Sequence, residues 1–519
     1  MFASVPTTIP GRADVWFLIA VLCFVNLYSF STLTTKPAYW YDEALNVELA
    51  HNFADFGKLD LIVAPRVFSG SGALVGSTGY PVTVPLAGFF KLFGFGLSQA
   101  RIYMLLFMSA LVVAFFFVAR ELWETRVAYA GTLLIATFAP FYGNGRSVMG
   151  EIPGFLFFLL SFYFLEKRKW WQSGVFLGLA LISKPSVFVF LIPAYALILL
   201  LSNGAWKQRI INLIKVGASA MLSLLPWLII YAGEIARGGL WRDIVAHFKN
   251  PYSEAGAGVL QNIGNNLPML ATSTTLLYLW VMLAGVVVAL FAERMLFSRH
   301  KNLFVLAGVY LPLSLFQYLK SFGYLRYLIA AELLVFILFL VTLPVLVRFV
   351  LGNSPFAKGS AREEGGILNN PHSEDGAPPF LRGKSSGLTD SATSFKKGGM
   401  LTGGILAAMI LAQTVHLFWF SDIYSSEKTQ KTMAYISREY PQETVGVFNV
   451  PQIASLIPAD KKYQYLSTYG LWQFGVNPFL LSPERRPNII VTDTDDPAFS
   501  TFYEKDSMFS EGFSIYKKK

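Results

Sequence analysis

Long apolar runs separated by short charged segments dominate this 519-residue chain. The hydrocarbon core of a bilayer is about 30 Å thick, and about 20 apolar residues in an α-helix cross it. Eleven runs approach that length, and only helices and closed barrels satisfy their backbone hydrogen bonds in lipid. They lie near residues 15–34, 99–119, 127–143, 152–165, 173–183, 185–201, 212–231, 270–291, 303–319, 327–350 and 400–420. The sequence therefore predicts an α-helical polytopic membrane protein.

The composition excludes several other classes of protein. Hydrophobic residues make up 54% of the chain and charged residues 14%, whereas soluble proteins carry about 25% charged residues. A disordered chain, a collagen, a disulfide-stapled secreted module and a soluble enzyme are all excluded. The net charge of +10 is typical of membrane proteins with basic cytoplasmic loops, so we expect no nucleic-acid partner. The single cysteine, Cys23, allows neither a disulfide framework nor a cysteine-based metal site.

Basic clusters predict the orientation of the chain in the membrane. They occupy alternate gaps between the apolar runs, at Arg120 and Arg126, at Lys167, Arg168 and Lys169, at Lys207, Arg209 and Lys215, and at Arg294, Arg299 and Lys301. Lysine and arginine near helix ends are retained on the cytoplasmic side. We expect the first helix to be an uncleaved anchor, with the loop after it and the carboxyl-terminal tail outside.

These patterns divide the chain into four parts. Residues 1–350 form a transmembrane module whose first external loop is 35–98, and 400–420 form a last transmembrane helix. Residues 351–399 are rich in Gly, Ser, Pro and mixed charge, which predicts a disordered cytoplasmic linker. Residues 421–519 contain a helical pattern at 426–440 and strand-like runs at 445–450, 463–467, 488–492 and 513–516. They predict a small extracytoplasmic α/β domain.

The first external loop opens with an amphipathic helical pattern. Its apolar face contains Leu45, Leu49, Phe53 and Phe56, and another face contains Glu48, Asn52 and Asp55. Gly57 follows as a stop signal, so we expect a helix lying along the membrane surface. Asp42 and Glu43 stand in its first turn. They either cap the helix and favour its dipole or carry chemistry, and the two roles are compatible.

A second acid follows in the next external gap, in the segment "FYGNGRSVMGEIPGFLFF". Arg146 and Glu151 interrupt apolar sequence there, and an ionisable group at such depth costs about 3 kcal/mol unless it is paired or hydrated. Two interpretations stay open, a structural ion pair between these residues and a functional site. The polar external stretch 232–269 is similarly either a substrate gate or a plain loop.

Four short blocks together resemble a known family. They are Asp42-Glu43 with Glu48 and Gly57, then "GYPVTVPLAGFFKLFG", then the Arg146 to Glu151 block, and last "GYLRYLIAAEL". Their order is similar to that of GT-C glycosyltransferases, most of all the protein O-mannosyltransferases and the lipid A aminoarabinose transferase. The resemblance covers most of residues 15–350 as topology, while the specific matches are confined to these blocks.

The resemblance implies an inverting transferase that takes a sugar from a polyprenyl-phosphate carrier. Asp42 matches the family position of the base that accepts a proton from the acceptor hydroxyl, with Glu43 assisting or holding it, and Glu151 is a second catalytic candidate. Candidate ligands for the substrate or the lipid phosphate are Arg146, Arg326, Tyr327, Lys91, Arg66, Tyr80 and Lys184. The aminoarabinose transferase has a lysine where this chain has Tyr80 before Pro81, so its phosphate ligand is not carried over.

Further expectations concern metals, partners and location. Five histidines show no ligand spacing, and we expect neither a bound metal nor another cofactor. The partners would be the lipid-linked donor, membrane lipids and an acceptor that is a lipid, a glycan or a protein. We expect a bacterial inner membrane, with the active site facing the periplasm. The rival function is a transporter or flippase of a lipid-linked substrate, although the acids cluster at one face and no internal repeat is evident.

Overall fold

The structure is a computed structural model that describes residues 11–64, 67–249, 258–321, 323–351, 386–420, 425–457, 464–467, 481–494 and 497–519. The first helices of the chain are α1 (Arg12–Ser31), α2 (Tyr41–Phe56), α3 (Gly72–Val75), α4 (Tyr80–Phe93), α5 (Leu97–Leu122), α6 (Thr125–Thr137), α7 (Ala139–Gly145), α8 (Glu151–Glu166), α9 (Trp170–Ser183), α10 (Pro185–Phe188), α11 (Leu191–Leu200), α12 (Trp206–Leu222) and α13 (Leu225–Ile230). The remaining helices are α14 (Ala232–Ala236), α15 (Leu240–Lys249), α16 (Val259–Asn266), α17 (Met269–Thr272), α18 (Thr274–Ala292), α19 (Met295–Arg299), α20 (Lys301–Lys320), α21 (Ile329–Val350), α22 (Ser386–Phe420), α23 (Glu427–Glu439), α24 (Pro451–Ala454) and α25 (Pro497–Phe502). A 3₁₀ turn at Leu325–Leu328 precedes α21, and another lies at Pro483–Arg485.

The prediction of a multi-pass membrane protein is confirmed. Among the described residues, seven helices are long and apolar enough to cross a membrane, namely Arg12–Ser31, Leu97–Leu122, Trp206–Ile230, Thr274–Ala292, Lys301–Lys320, Leu325–Val350 and Met400–Trp419. Two shorter apolar helices are Trp170–Ser183 and Pro185–Leu200. The remaining predicted spans correspond to α6 and α8, which contain 13 and 16 residues. The expected number of eleven spanning helices is therefore not confirmed.

Helix α21 occupies the middle of the helical bundle. It packs against α6, α18 and α20, and its turns are buried on nearly all sides between Ile329 and Leu343. A helix that is hydrophobic all round is stable only where other helices surround it. The 3₁₀ turn therefore directly precedes a helix whose position is fixed by packing on nearly all sides.

Charged pairs gather at one end of the bundle. Arg120 binds Asp14 at 2.6 Å, Lys167 binds Glu121 at 2.6 Å, and Arg348 binds Glu293 at 3.1 Å. Helix α1 starts at this end, beside Asp14, and runs away from it toward the loop that contains Asp42. Arg120 and Lys167, from two of the predicted basic clusters, therefore lie at the opposite end of α1 from Asp42.

The carboxyl-terminal region is a small α/β domain, as predicted. Its strands are β3 (Val445–Phe448), β4 (Gln464–Ser467), β5 (Ile489–Thr492), β6 (Tyr503–Lys505) and β7 (Ser514–Lys518). They form one sheet in the order β4-β3-β5-β7-β6, in which β3 is parallel to β4 and β5 and β7 is antiparallel to its neighbours. The four predicted strand runs match β3, β4, β5 and β7, and the predicted helix matches α23. Strand β6 has no counterpart in the prediction.

This domain shares a hydrophobic core with the first external loop. Leu45 and Leu49 of α2 pack in one cluster with Val445 and Ile489 of the sheet. The loop also contains the two-stranded hairpin of β1 (Ile62–Ala64) and β2 (Val67–Phe68), and β1 contacts β4. The domain therefore covers the helix that carries Asp42.

Hydrogen bonds also join the first external loop to the carboxyl-terminal domain. Ser426 donates through its backbone N–H to the carbonyl of Thr35 at 2.7 Å and through its hydroxyl to the carbonyl of Pro37 at 3.0 Å. The hydroxyls of Tyr39 and Ser455 lie 2.7 Å apart. Of the linker predicted at 351–399, residues 352–385 lie outside the described residues, and residues 386–399 are not disordered as expected but belong to α22.

Candidate active site

Helix α2 carries Asp42 and Glu43 in its first turn, where carboxylates interact favourably with the helix dipole. Gly57 ends the helix, as the sequence predicted, and adopts the left-handed conformation. Asn46, one turn after Asp42, is fully buried and donates to Thr78 at 3.0 Å and to the carbonyl of Val148 at 2.8 Å. These bonds fix α2 against two other segments of the site.

Glu43 forms a buried ion pair with Arg101 of α5. The guanidinium donates from Nε to Oε1 at 3.0 Å and from Nη2 to Oε2 at 2.9 Å, and both side chains are 0% exposed. Arg101 also donates to the carbonyl of Leu33 at 2.9 Å. Because both carboxylate oxygens are occupied by Arg101, the geometry favours a structural role for Glu43 rather than assistance to Asp42.

Asp42 binds a different arginine. Nη2 of Arg326, in the 3₁₀ turn before α21, donates to Asp42 Oδ2, and the two side chains remain 17% and 26% exposed. The rings of Tyr324 and Tyr327 lie 4.9 Å and 5.5 Å from the guanidinium carbon. Nε of Arg326 is buried and has no hydrogen-bond partner among the described residues. The arginine therefore keeps a donor group free beside a partly exposed carboxylate.

The charge of Asp42 is stabilised by two cations. Burial acts to raise the pKa of its carboxyl, but the positive charges of Arg326 and Lys184 outweigh burial and hold the pKa below its ordinary value. Asp42 is consequently ionised at neutral pH. A base needs this protonation state, but a lowered pKa also weakens its affinity for a proton.

Lys184 and Glu151 form the second charged pair of the site. Lys184 Nζ lies 3.7 Å from Glu151 Oε1, and both residues are buried. Neither carboxylate oxygen of Glu151 accepts a hydrogen bond from any described residue. An ion pair at this distance without a hydrogen bond leaves both groups able to bind another partner.

Two glycines bring the backbone before Lys184 into the site. A Cβ atom on Gly150 would lie 1.8 Å from the carbonyl oxygen of Ser183, and one on Gly79 would lie 2.1 Å from that of Ile182. Gly79 also donates its N–H to the Ser183 carbonyl at 3.3 Å. Only glycine permits such close approach of two backbones. The glycine of the second block and the glycine before Glu151 therefore both serve to place Lys184.

The ion pair considered between Arg146 and Glu151 is not formed. Arg146 instead donates to Thr32 Oγ1 at 2.6 Å and to the Tyr142 carbonyl at 3.3 Å, beneath the ring of Tyr28. Burial and the neighbouring Arg101 lower the pKa of Arg146 to about 10, so it stays charged at neutral pH. Arg146 lies near the Glu43 pair rather than beside Asp42, because the segment before α8 turns it toward α1.

The remaining predicted ligands lie apart from this cluster or beside one of its members. Tyr327 accompanies Arg326 in the 3₁₀ turn. Tyr80 donates its hydroxyl to the Ser223 carbonyl at 2.8 Å, which is a structural contact. Lys91 is exposed near the end of α4, and Arg66 lies outside the described residues. Among the described residues, no group of three His, Cys, Asp or Glu side chains could hold a metal ion.

Comparison with known proteins agrees with this arrangement at the level of fold. Residues 83–230 match the family of dolichyl-phosphate-mannose-protein mannosyltransferases. ArnT from Cupriavidus metallidurans bound to undecaprenyl phosphate superposes with a TM-score of 0.59 at 14% identity, over 98% of each chain. The fold is that of ArnT. The resemblance to GT-C glycosyltransferases expected from the sequence is thus confirmed.

Two other solved structures also superpose on this chain. The apo state of ArnT gives a TM-score of 0.58 at 13% identity, over 97% of this chain and 98% of that chain. An oligosaccharyltransferase from Archaeoglobus fulgidus in complex with Zn and sulfate gives 0.50 at 12% identity, over 97% of this chain and 73% of that chain. No curated protein sequence matches this chain.

Proposed function

We propose that this chain is an integral membrane glycosyltransferase that moves a sugar from a polyprenyl-phosphate carrier to an acceptor hydroxyl. The observation that carries the proposal is the convergence of Asp42, Glu151, Lys184 and Arg326, which come from four distant parts of the sequence. Burying charged side chains in a membrane protein costs free energy, and this chain has few of them. Such a cluster therefore marks a functional site. The ArnT fold and the match to the mannosyltransferase family support the choice of reaction.

The cluster has the charges that such a reaction needs. The acceptor oxygen attacks the anomeric carbon, the bond from that carbon to the phosphate oxygen breaks with its electron pair, and polyprenyl phosphate leaves. Arg326 and Lys184 would stabilise the phosphate through charge-assisted hydrogen bonds. Asp42 would take the proton of the acceptor hydroxyl, and attack from the face opposite the phosphate would invert the anomeric centre.

The contact between Asp42 and Arg326 implies an order of events. A carboxylate held by arginine is a poor base, so the guanidinium has to move toward the incoming phosphate before Asp42 can act. Glu151, whose oxygens accept no hydrogen bond from the described chain, would hold Lys184 or a sugar hydroxyl. The residues Tyr324 and Tyr327 would border the carrier beside Arg326.

The same proposal places the protein in the membrane. The basic helix ends would face the cytoplasm of a bacterial inner membrane, and Asp42 with the α/β domain would face the periplasm. The lipid tail of the carrier would stay in the bilayer while its sugar reaches the surface. We expect no divalent metal to be required, which activity in excess EDTA would test.

Turnover of the carrier tests the proposed function. Purified protein in nanodiscs is incubated with a set of radiolabelled polyprenyl-phosphate sugars and with lipid, glycan and peptide acceptors. A transferase releases polyprenyl phosphate and labels an acceptor, whereas a flippase moves the intact carrier across a vesicle membrane without cleaving it. Carrier movement without cleavage would overturn the proposal.

A further inference from the structure

The side chain of Asn266 joins two external segments of the bundle. Asn266 is the last residue of α16 and is 7% exposed. Its amide nitrogen donates hydrogen bonds to backbone carbonyls at the carboxyl-terminal end of α20. The three acceptors are the carbonyls of Tyr318 at 3.3 Å, Leu319 at 3.0 Å and Ser321 at 2.6 Å. The last carbonyls of a helix have no partner within the helix, so this amide satisfies the carboxyl-terminal end of α20.

The same side chain contacts the backbone on the way to Arg326. Gly323 adopts φ of +70°, and a Cβ atom added there would lie 2.1 Å from Asn266 Oδ1. Asn266 therefore fixes the chain on both sides of the turn that leaves α20. The next element is the 3₁₀ turn at Leu325–Leu328, whose Arg326 binds Asp42.

We propose that Asn266 is a positioning residue that holds Arg326 at Asp42 and presents its guanidinium to the carrier phosphate. The inference rests on the proposed transferase function, and it gives the external segment 232–269 a role at the site rather than that of a plain loop. Arg326 is only three residues after Gly323. A shift of the backbone at Gly323 would therefore also move Arg326. Asn266 itself lies outside the reacting groups.

A neighbouring residue provides a matched control. Asn262 lies one turn earlier on α16, is also buried, and donates to the Lys320 carbonyl at 3.1 Å. It bonds to the end of the same helix with the same chemical group, but the three atoms nearest to a Cβ atom at Gly323 all belong to Asn266. A general loss of helix capping would therefore affect both variants, and loss of Arg326 positioning only one.

The charge state of Asp42 reports the position of Arg326. Arg326, Lys184 and Tyr324 interact electrostatically with this carboxylate, and Glu151 and Tyr327 interact with Arg326. Burial acts to raise the pKa of Asp42, and Arg326 is the first of the groups that lower it. A guanidinium released from the turn would no longer hold the pKa down, so the acid limb of kcat/KM would move to higher pH.

The test compares wild type, Asn266→Ala and Asn262→Ala in nanodiscs. The pH profile of kcat/KM is measured with the polyprenyl-phosphate sugar that the wild type turns over. We expect the acid limb of Asn266→Ala to rise by about one pH unit or more, because an opposite charge shifts a carboxyl pKa by about 1–3 units. We expect Asn262→Ala to keep the wild-type profile. Identical profiles for all three proteins would overturn the inference.

Hydrogen exchange separates this inference from the proposed function. In Asn266→Ala we expect faster amide exchange in the peptide spanning 318–328 than in Asn262→Ala, whether or not turnover is found. Unchanged exchange would overturn the inference even if the wild type is an active transferase. Faster exchange with a wild type that turns over no carrier would instead overturn the proposed function, and with it the role of Asn266 in presenting Arg326 to a carrier phosphate.

Discussion

Asp42 and Glu43 are consecutive residues, yet their carboxylates bind different arginines. Glu43 lies inside the bundle against Arg101, and Asp42 lies at a partly exposed position against Arg326. A helix rotates by about 100° per residue, so neighbours on α2 face different surroundings. The pair of acids therefore separates into one structural and one candidate catalytic residue, and substitutions of the two should behave differently.

Asp42→Asn should abolish transfer and leave the fold intact. The amide keeps the size of the carboxylate and can still accept a hydrogen bond from Arg326, but it cannot take a proton. General base catalysis contributes about 10² to 10⁴ in rate, so at least that loss is expected. Turnover and thermal unfolding of the purified variant measure both effects. Activity close to that of wild type would remove Asp42 as the base.

Glu43→Gln should instead destabilise the protein. Removing one member of a buried ion pair leaves an uncompensated charge on Arg101 and costs about 3–5 kcal/mol. The double variant Glu43→Met with Arg101→Leu should recover much of the loss, because it removes both charges together. Midpoints of thermal unfolding in the same lipid and detergent compare the variants. A Glu43→Gln protein as stable as wild type would contradict a structural role.

Lys184→Met should weaken binding of undecaprenyl phosphate. A hydrogen bond to a charged group contributes about 1.5–3 kcal/mol, which corresponds to about 10-fold to 100-fold in Kd. Lys91→Met is the control, since that lysine is exposed near the end of α4. Titration of each variant in nanodiscs with undecaprenyl phosphate gives the comparison. Equal losses of affinity in Lys184→Met and Lys91→Met would show that the phosphate does not bind at Lys184.

Gly150→Ala should displace Lys184 although it introduces no charge. Its Cβ atom would meet the Ser183 carbonyl oxygen at 1.8 Å, and overpacking of this kind costs about 1–3 kcal/mol. Gly143→Ala in α7 is the control, because nothing lies within 4 Å of a Cβ atom there. We expect Gly150→Ala to raise KM for the carrier and Gly143→Ala to leave it unchanged. The opposite ranking would show that the approach of Ser183 does not position Lys184.

Glu48 should make stability fall as the pH rises. Burial raises the pKa of Glu48 from 4.5 to about 7, with Asp55 adding to the shift and the Asn52 amide opposing it. The unfolded chain then loses its proton at lower pH than the folded one, so stability declines between about pH 4.5 and 7. Glu48→Gln should remove up to about 3 kcal/mol of this dependence. The midpoint of thermal unfolding is measured across that pH range for wild type and Glu48→Gln. An equally steep pH dependence in both proteins would contradict the assignment.

Much of the fold could be predicted because membrane burial leaves a strong signal. Apolar runs of sufficient length placed most spanning helices, and alternation and turn residues placed the strands β3, β4, β5 and β7. The helix α2 and its end at Gly57 were predicted correctly, but the expected exposed polar face was wrong, because Glu48 and Asn52 are only 5% and 2% exposed. The number of spans could not be predicted in the same way, since α6 and α8 have only 13 and 16 residues and apolar composition does not show where a helix ends.

The pairing within the site could not be predicted in the same way. Asp42 was expected from the family resemblance, and Lys184 and Arg326 were among the candidate cations on the external side, but nothing in sequence spacing says which acid meets which cation. Arg146 and Glu151 are five residues apart and do not pair, because the chain between α7 and α8 turns them to different neighbours. Asn46 and Asn266 were missed altogether, since a lone asparagine in a helix carries no signal for the distant carbonyls it binds.

A cryo-EM map of the protein with undecaprenyl phosphate in nanodiscs tests the central claim most directly. The account predicts phosphate density within hydrogen-bond distance of Arg326 or Lys184, with the Asp42 carboxylate released from the arginine and facing the side on which the sugar of the carrier would lie. Phosphate bound at a different surface, with Asp42 still held by Arg326 and closed off from the carrier, would contradict it.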